Sequence, residues 1–151
     1  METDIDDEGD RPSTEDVSPI GLFGCLDEHA LNLVVDHSQV RREPANSWLY
    51  RQGERGTELF VILDGEVLVG RDLSRPPMYK LGPGDWFGEV EVLNMTPRRA
   101  EARTSSAVRL LVLDNRTLAK LYRSDLKMYA LLLMNLARQL ARKLHHTESR
   151  L

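Results

Sequence analysis

Between about residues 39 and 113 the chain alternates short apolar runs with turn residues, and this pattern limits the fold more than any other feature. The longest runs cover 59–63, 67–69 and 108–113. Short runs of β-forming residues separated by turns predict an antiparallel sandwich or barrel of the jelly-roll type. The dipeptide Asp64-Gly65 lies between two of these runs and predicts a β-hairpin, because such a turn needs positive φ.

Helical periodicity flanks the β region on both sides. On the N-terminal side, Asp27 is a suitable N-cap for a helix whose apolar residues recur every three or four positions. On the C-terminal side, Asp114 or Asn115 can cap a short helix. Asp125 can cap a much longer helix that runs to about His146.

These elements predict a fold class that is mainly β with flanking helices. We expect an antiparallel jelly-roll-like β-roll barrel over about residues 39–113, an N-terminal helical segment, and C-terminal helices over about 115–146, the second of which is long. Residues 1–18 hold eight acidic residues against Arg11 alone, a formal charge of −7 in a chain whose total is −4. This segment has very few apolar residues, so we expect a disordered acidic tail followed by one domain over 19–151.

The predicted long helix is apolar on more than one side. A helix with two apolar faces must bury both, and a single barrel covers only one of them. We therefore expect a homodimer through the 125–146 helix, or a protein partner on the same face. The residues that form its main apolar stripe are Leu126, Tyr129, Ala130, Leu133, Leu136, Ala137, Leu140, Ala141 and Leu144.

The segment 87–100 contains residues suited to binding an anion. Gly88 allows the backbone to approach a ligand, and the residues after it can form a short helix whose N-terminal amide hydrogens favour an anion. Arg98 follows ten positions later on the next predicted strand, where its guanidinium can add a bidentate phosphate contact. Glu89 can accept hydrogen bonds from sugar hydroxyls. Together these features predict an anionic sugar phosphate as the ligand.

This segment resembles the phosphate-binding cassette of the cyclic-nucleotide-binding domain family, which includes the catabolite activator proteins and the regulatory subunits of protein kinase A. Stretches 50–54 and 59–67 also resemble the family's early glycine turn and central hairpin, and the resemblance covers about residues 19–146. The cassette residues are Phe87-Gly88-Glu89-Val90-Glu91-Val92 followed by Thr96-Pro97-Arg98-Arg99-Ala100-Glu101.

The resemblance implies a ligand-sensing regulatory module that binds a cyclic nucleotide and signals through its C-terminal helix, with cyclic AMP favoured over cyclic GMP as the ligand. Glu89 would bind the ribose 2′-hydroxyl and Arg98 the cyclic phosphate, while Gly88 and Ala100 bring backbone close to the ligand. The long helix would act as a lid and, in bacterial members, as a dimer seam. The candidate ligand-binding residues are Gly88, Glu89, Val90, Glu91, Arg98, Arg99 and Ala100.

Three cassette positions depart from the family pattern. Glu91 replaces alanine or glycine, Arg99 replaces serine or alanine, and Glu101 replaces a small hydroxyl residue. A carboxylate beside a phosphate lowers affinity, because like charges repel. Two arrangements are open: Arg99 neutralises Glu91 and leaves Arg98 for the ligand, or Glu91 reaches Arg98 and stands in for the phosphate. The second arrangement gives a degenerate, self-occupied pocket and a module for protein–protein interaction or dimerisation that needs no nucleotide.

We expect no enzymatic activity, no metal and no cofactor other than a cyclic nucleotide ligand. The four histidines have no spacing that supports a metal site. On the long helix, Arg138, Arg142 and Lys143 are predicted to form a solvated face rather than a nucleic-acid surface, because no aromatic residues are interleaved with them.

The remaining expectations concern partners and location. The five residues 147–151 after the predicted long helix are too few for a helix-turn-helix unit, so we expect no DNA-binding domain in this chain. No apolar run approaches the roughly 18–20 residues that cross a bilayer, so we expect no membrane association. The acidic N-terminus does not resemble a secretory signal, and a cytoplasmic location is the simplest expectation.

Overall fold

The computed structural model describes residues 11–148, with side chains described over 11–145. In chain order its elements are α1 (Thr14–Val17), a 3₁₀ turn (Gly21–Phe23), α2 (Glu28–His37), β1 (Gln39–Glu43), β2 (Trp48–Tyr50), β3 (Glu58–Asp64), β4 (Val67–Gly70), β5 (Tyr79–Leu81), β6 (Trp86–Phe87), α3 (Glu89–Asn94), β7 (Glu101–Thr104), β8 (Val108–Asp114), α4 (Asn115–Ser124) and α5 (Leu126–Glu148). The strands form two four-stranded sheets, ordered β1-β8-β3-β6 and β2-β7-β4-β5, in which every pairing is antiparallel. The predicted fold class is confirmed.

Strands β8 and β3 are the two central strands of the first sheet, and both faces of each are buried. They pair antiparallel, with Phe60 opposite Val112. Phe60 and Val112 lie in the apolar cluster inside the barrel, whereas Leu59 and Leu113 lie in the cluster that the helices cover. Side chains alternate between the faces of a strand, so a strand buried on both sides reads as a continuous apolar run. This is why the runs at 59–63 and 108–113 are apolar throughout.

The predicted hairpin at Asp64-Gly65 is wrong, although the turn itself exists. Gly65 has a φ of +95°, as expected, but β3 pairs with β6 and β8 while β4 pairs with β5 and β7. The chain crosses from one sheet to the other at this point. The turn is held instead by the segment between β7 and β8: Glu66 N–H donates to the Ser106 hydroxyl at 2.9 Å, and Ser105 N–H donates to the Glu66 carbonyl at 3.0 Å.

The three helix caps predicted from aspartates are confirmed. Asp27 accepts from Ala30 N–H at 2.8 Å at the start of α2, and Asp114 accepts from Thr117 N–H at 2.8 Å at the start of α4. Asp125 accepts from Met128 N–H at 3.0 Å at the start of α5. None of the helices among the described residues is long and apolar enough to span a membrane.

Helix α5 lies against the barrel through one of its two apolar faces. Met128, Leu132 and Leu136 are buried on this inner face and join the cluster that also contains Leu59 and Leu113. Each fully buried side chain of this size contributes about 1.5–3 kcal/mol relative to leaving it exposed. The first half of α5 is therefore fixed firmly to the domain.

The predicted disordered tail over residues 1–18 extends too far. Residues 13–17 begin the ordered structure: Ser13 and Asp16 form a reciprocal capping box around α1, and Val17 is fully buried. Asp16 also pairs with Arg109 of β8, with oxygen–nitrogen distances of 3.3 and 3.4 Å. Val17 and Asp16 thus attach this turn to the core and to the sheet. The rest of the predicted tail, residues 1–10, lies outside the described residues.

We predict that the Asp16 contacts stabilise the domain in a pH-dependent way. The backbone hydrogen bond from Ser13 and the nearby Arg109 hold the pKa of Asp16 below its ordinary value. A lowered folded-state pKa gives stability that is present above the unfolded-state pKa and is lost as the pH falls through the folded-state pKa. Asp16→Asn should cost about 1 kcal/mol of unfolding free energy at pH 7. Urea titrations at pH 7 and pH 3 test this, with exposed Glu15→Gln as the control. If Asp16→Asn lost the same unfolding free energy at pH 3 as at pH 7, the prediction would be contradicted.

Candidate functional site

The site begins at Gly88, directly after β6 ends at Phe87. Gly88 has a φ of +82° and precedes α3. A Cβ at this position would lie 3.0 Å from the Glu58 carbonyl oxygen and 3.1 Å from Nη1 of Arg98. Glycine is therefore required twice, for the left-handed backbone and for the close approach of a guanidinium.

Arg98 is the central charge of the site and is 3% exposed. Its Nη1 donates to the Gly88 carbonyl at 2.7 Å and its Nη2 to the Glu58 carbonyl at 2.5 Å. The guanidinium carbon lies 4.1 Å from the centre of the Tyr50 ring. Burial raises the pKa of Tyr50 above its ordinary value and Arg98 opposes that rise, so Tyr50 is a neutral platform at physiological pH.

The backbone of Arg98 is fixed as firmly as its side chain, but not by the strand that we expected. Arg98 lies three residues before β7 begins. Its N–H donates to the Glu54 carbonyl at 2.7 Å, and its carbonyl accepts from Gly53 N–H at 2.8 Å. The loop that follows β2 thus holds Arg98 in place.

Glu91 occupies the place next to Arg98 where a bound anion is expected. Its Oε2 lies 3.1 Å from Nη1 of Arg98, and its Oε1 accepts from Arg99 N–H at 3.4 Å. Glu91 is 7% exposed. Of the two arrangements left open by the sequence, the structure adopts the one in which Glu91 reaches Arg98.

Gly56 makes this position of Glu91 sterically possible. A Cβ on Gly56 would lie 2.3 Å from the Cβ of Glu91, closer than any real contact. The acidic residue in the cassette therefore depends on a glycine in the loop that faces it.

The side chains of the other predicted site residues lie away from the Arg98 guanidinium. The side chain of Arg99 is exposed, so it does not neutralise Glu91 as one alternative required; its backbone N–H alone contacts Glu91. Val90 is 43% exposed on α3, and Ala100 is half-buried before β7. Glu101, expected inside the pocket, instead accepts from Leu73 N–H at 3.3 Å and lies 3.8 Å from Arg51.

Glu89 is fully enclosed and has a partner that the sequence did not predict. Glu89 is 1% exposed, and its Oε1 lies 3.0 Å from Nζ of Lys143 on α5. The same Nζ lies 5.4 Å from the centre of the Tyr79 ring. Lys143 was expected on the solvated face of the long helix, and that expectation is wrong. Its ammonium reaches into the site and neutralises a buried carboxylate.

Lys143 is the last of three polar side chains that fix α5 to the domain. Asn135 Nδ2 donates to the carbonyls of Leu22 and Gly24 at 2.9 and 3.1 Å, and Gln139 Nε2 donates to the Trp86 carbonyl at 3.3 Å. The three residues are spaced four apart, so they share one helix face. That spacing was the signal available in the sequence, but a row of polar residues on a helix is more often solvated. We call Asn135, Gln139 and Lys143 the polar row.

A cavity of about 600 Å³ lies beside the polar row, between α5, the 3₁₀ turn and the β5–β6 connection. Tyr79, Leu81 and Trp86 form much of its apolar wall, and Gln139 and Lys143 line it from α5. Volumes of 300–1,000 Å³ with a mainly apolar lining are usual for small-molecule sites. Within the described part of the chain, no group of three or more His, Cys, Asp or Glu side chains is placed to hold a metal ion.

Comparison with known proteins identifies the family of this domain. Residues 40–125 match the family model described as the cyclic nucleotide-binding domain, which is more than half of the chain. The chain belongs to this family, as its cassette predicted.

Relatives with known names or structures agree with the family assignment. The cAMP-activated global transcriptional regulator of Mycobacterium tuberculosis, which is CRP-like, is 29% identical over 125 residues, covering 81% of this chain and 56% of that protein. The structure of the Thermus thermophilus catabolite activator protein superposes with a TM-score of 0.75 at 29% identity, covering 86% of this chain and 61% of that one. A cyclic nucleotide-binding domain from Methylobacillus flagellatus gives a TM-score of 0.79 at 26% identity, covering 91% of this chain and 79% of that one. The chain thus spans little more than half the length of the named mycobacterial relative.

Proposed function

We propose that this chain is a regulatory, non-catalytic module that binds a cyclic nucleotide between Glu89 and Arg98 and signals through α5. The phosphate would lie against the Arg98 guanidinium and the sugar against Glu89. Cyclic AMP is the favoured ligand over cyclic GMP, because the resemblance implies it and the mycobacterial relative is named for activation by cyclic AMP. The cytoplasmic location expected from the sequence stays a prediction.

The observation that supports this proposal most directly is an unmet donor on Arg98. The buried Nε of Arg98 has no hydrogen-bond partner among the described residues. A buried N–H without an acceptor costs about 1–3 kcal/mol, so such a group is expected to have a partner in the working protein. A phosphate offers more acceptor oxygens than the Glu91 carboxylate, and two of them can accept from Nε and from Nη2, which lies on the same edge of the guanidinium.

The cavity beside the polar row gives a nucleotide base a place to lie. Its aromatic and aliphatic wall, formed by Tyr79, Leu81 and Trp86, suits a flat ring. Lys143 lines this cavity and also contacts Glu89, so the cavity adjoins the proposed sugar position. Sugar, phosphate and base would then occupy adjoining parts of one site.

A ligand titration tests the proposed function. If the site binds cyclic AMP, the stabilisation should grow as RT ln(1 + [L]/Kd), which is about 2.7 kcal/mol at a hundred times Kd. Thermal unfolding followed with cyclic AMP, cyclic GMP and 5′-AMP measures it, with the linear nucleotide as the control. The absence of any shift at millimolar cyclic nucleotide would refute nucleotide binding.

A second candidate function is supported by the contact between Glu91 and Arg98. Their buried pair, together with the Glu89–Lys143 pair, satisfies the main charges of the site without any ligand. In this case the domain is a self-occupied module for protein–protein interaction or dimerisation. The same titration separates the two functions, because only the first predicts a shift.

We also propose that the module forms a homodimer through the outer face of α5. The outer residues Leu126, Ala130, Leu133, Ala137, Leu140 and Leu144 follow alternating steps of four and three, which is the a/d spacing of a coiled coil. Leu133 and Leu144 are 38% and 61% exposed. A second copy of α5 offers the same surface and would cover both.

Leu133→Glu should convert this dimer to a monomer. The substitution places a carboxylate at the centre of the apolar seam, once in each copy, and should raise the dimer dissociation constant by at least tenfold, which is about 1.4 kcal/mol. Sedimentation velocity at several protein concentrations measures it. Lys127→Glu, an exposed change on the same helix outside the a/d positions, is the control and should leave assembly unchanged. A wild-type chain that is monomeric at high micromolar concentration would contradict the dimer.

A further inference from the structure

The outer face of the sheet β2-β7-β4-β5 carries a row of exposed and half-buried side chains that crosses all four strands. Trp48 lies opposite Arg103, Arg103 opposite Leu68, and Leu68 opposite Lys80. Ala102, the neighbour of Arg103 in the sequence, is fully buried inside the barrel. Side chains alternate between the faces of a strand, so the row points away from the core.

Trp48 is an exposed aromatic ring that contacts two guanidinium groups. Its side chain belongs to a residue that is 37% exposed. The guanidinium carbons of Arg51 and Arg103 lie 4.4 and 5.2 Å from the centre of its ring. A cation over a ring is held by the charge distribution of the ring, and this contact uses none of the five N–H donors of an arginine. The ring therefore positions two cations whose donors are left for other partners.

Few acceptors surround these cations. Glu101 lies 3.8 Å from Arg51, and within the described part of the chain no carboxylate lies at ion-pair distance from Arg103 or Lys80. The buried Nε of Arg103 has no hydrogen-bond partner among the same residues. Buried N–H groups are expected to have an acceptor, so the face suits an anionic partner. We call it the Trp48 surface, which consists of Trp48, Arg51, Leu68, Lys80 and Arg103.

The N-terminal segment of the chain is an anion of matching form. Residues 1–10 contain six carboxylates and neither lysine nor arginine. In an extended chain every second residue faces the same side at a spacing of about 6.6–7 Å. Three strand spacings, from Trp48 to Lys80, measure about 14 Å, so two or three such carboxylates fit over the row. The acidic residues at alternate positions are Glu2, Asp4, Asp6, Glu8 and Asp10.

The segment is also attached within reach of this surface. It precedes α1, where Asp16 contacts Arg109. Arg109 pairs with Arg42, two residues before the turn 44–47, and Trp48 directly follows that turn. Both sites therefore lie at the same end of the barrel, on the two sides of one turn. Residues 1–10 span about 33 Å when extended, whereas packed sheets are about 10 Å apart.

We propose that residues 1–10 bind in extended form to the Trp48 surface of their own chain. Individual surface ion pairs are weak, but the short tether gives the segment an effective concentration in the millimolar range, so several pairs together hold it in place. The bound segment covers the exposed tryptophan and withholds its cations from other polyanions. The inference does not require nucleotide binding.

Carbodiimide cross-linking of the wild-type full chain tests the contact directly, because the reagent joins a lysine to a carboxylate that touches it. We expect Lys80 to be joined to residues 1–10 with about ten times the yield of Lys120, an exposed lysine on α4, because the tether concentrates the segment at one surface. At about 1 M salt, where the Debye length is about 3 Å, this difference should disappear. Equal yields at low salt would overturn the proposal. A mixture of isotope-labelled and unlabelled chains identifies the donor of the segment, and cross-links only between the two kinds of chain would overturn binding within one chain.

Acrylamide quenching of Trp48 fluorescence measures the same contact without cross-linking. Trp86→Phe leaves Trp48 as the single tryptophan of the chain. In this background, changing the five alternating acids to their amides should raise the quenching constant about twofold, because the tethered segment otherwise covers the ring for most of the time. The control removes three exposed carboxylates of α1 and α2, through Glu15→Gln, Glu28→Gln and Asp36→Asn, and should leave quenching unchanged. Equal quenching with the acidic and the neutral segment would overturn the proposal.

Discussion

Replacing Arg98 with methionine should lower the free energy of unfolding by about 3–5 kcal/mol and abolish any stabilisation by cyclic nucleotide. The substitution keeps much of the side-chain volume but leaves the Glu91 carboxylate buried without its cation. It also removes the donors to the Gly88 and Glu58 carbonyls. Breaking a buried charge pair from one side typically costs this amount, because the remaining charge is uncompensated.

Urea unfolding of Arg98→Met in the absence and presence of cyclic AMP measures both effects. Arg99→Met is the matched control: its side chain is exposed, so it should change stability by less than about 0.5 kcal/mol. A loss of 1 kcal/mol or less in Arg98→Met would show that the pair is not the central contact of the site. A nucleotide shift that survives in Arg98→Met would place the ligand elsewhere.

Replacing Glu91 with alanine should destabilise the ligand-free domain yet increase its response to nucleotide. Without Glu91, the Arg98 guanidinium is buried beside Tyr50 with no anionic partner, and we expect a loss of about 3 kcal/mol. A cyclic phosphate then meets no competing carboxylate, so binding should tighten by at least about tenfold, or 1.4 kcal/mol. The ligand should therefore recover a large part of the lost stability.

Thermal unfolding of Glu91→Ala with and without cyclic AMP tests this reversal. Glu101→Ala is the control, since Glu101 is the other acidic departure in the cassette but contacts Leu73 and Arg51 rather than Arg98. Its nucleotide response should equal that of the wild type. If Glu91→Ala loses stability and gains no response to nucleotide, the self-occupied module is the correct function.

The β-roll was predictable because its evidence is local in the sequence. The apolar run at 59–63 is continuous because both faces of β3 are buried, and the three capping aspartates each lie next to the helix they start. The hairpin predicted at Asp64-Gly65 was wrong because it rested on local evidence alone. A turn with positive φ is visible in the sequence, but whether its two strands pair or enter different sheets depends on β7 and β8, some 40 residues away.

Part of the site was predictable because its residues are also close together in the sequence. Gly88, Glu89 and Arg98 lie within eleven positions, so their spacing alone brings them together. The direction of Glu91 was not predictable, because it depends on the glycine at position 56. Lys143 was missed because it lies 54 residues from Glu89 and reaches it only when α5 is docked.

The two bonds from Asn135 to the Leu22 and Gly24 carbonyls join parts of the chain that are 113 and 111 residues apart. During synthesis the 3₁₀ turn leaves the ribosome more than a hundred residues before its partner on α5. The apolar cluster around Phe23 also needs Met128 and Leu132 from α5. Contacts between such distant parts of a sequence form slowly, because the entropy of closing the intervening loop is lost first. Until α5 has emerged, the helix-facing cluster is therefore an exposed apolar surface that chaperones can recognise.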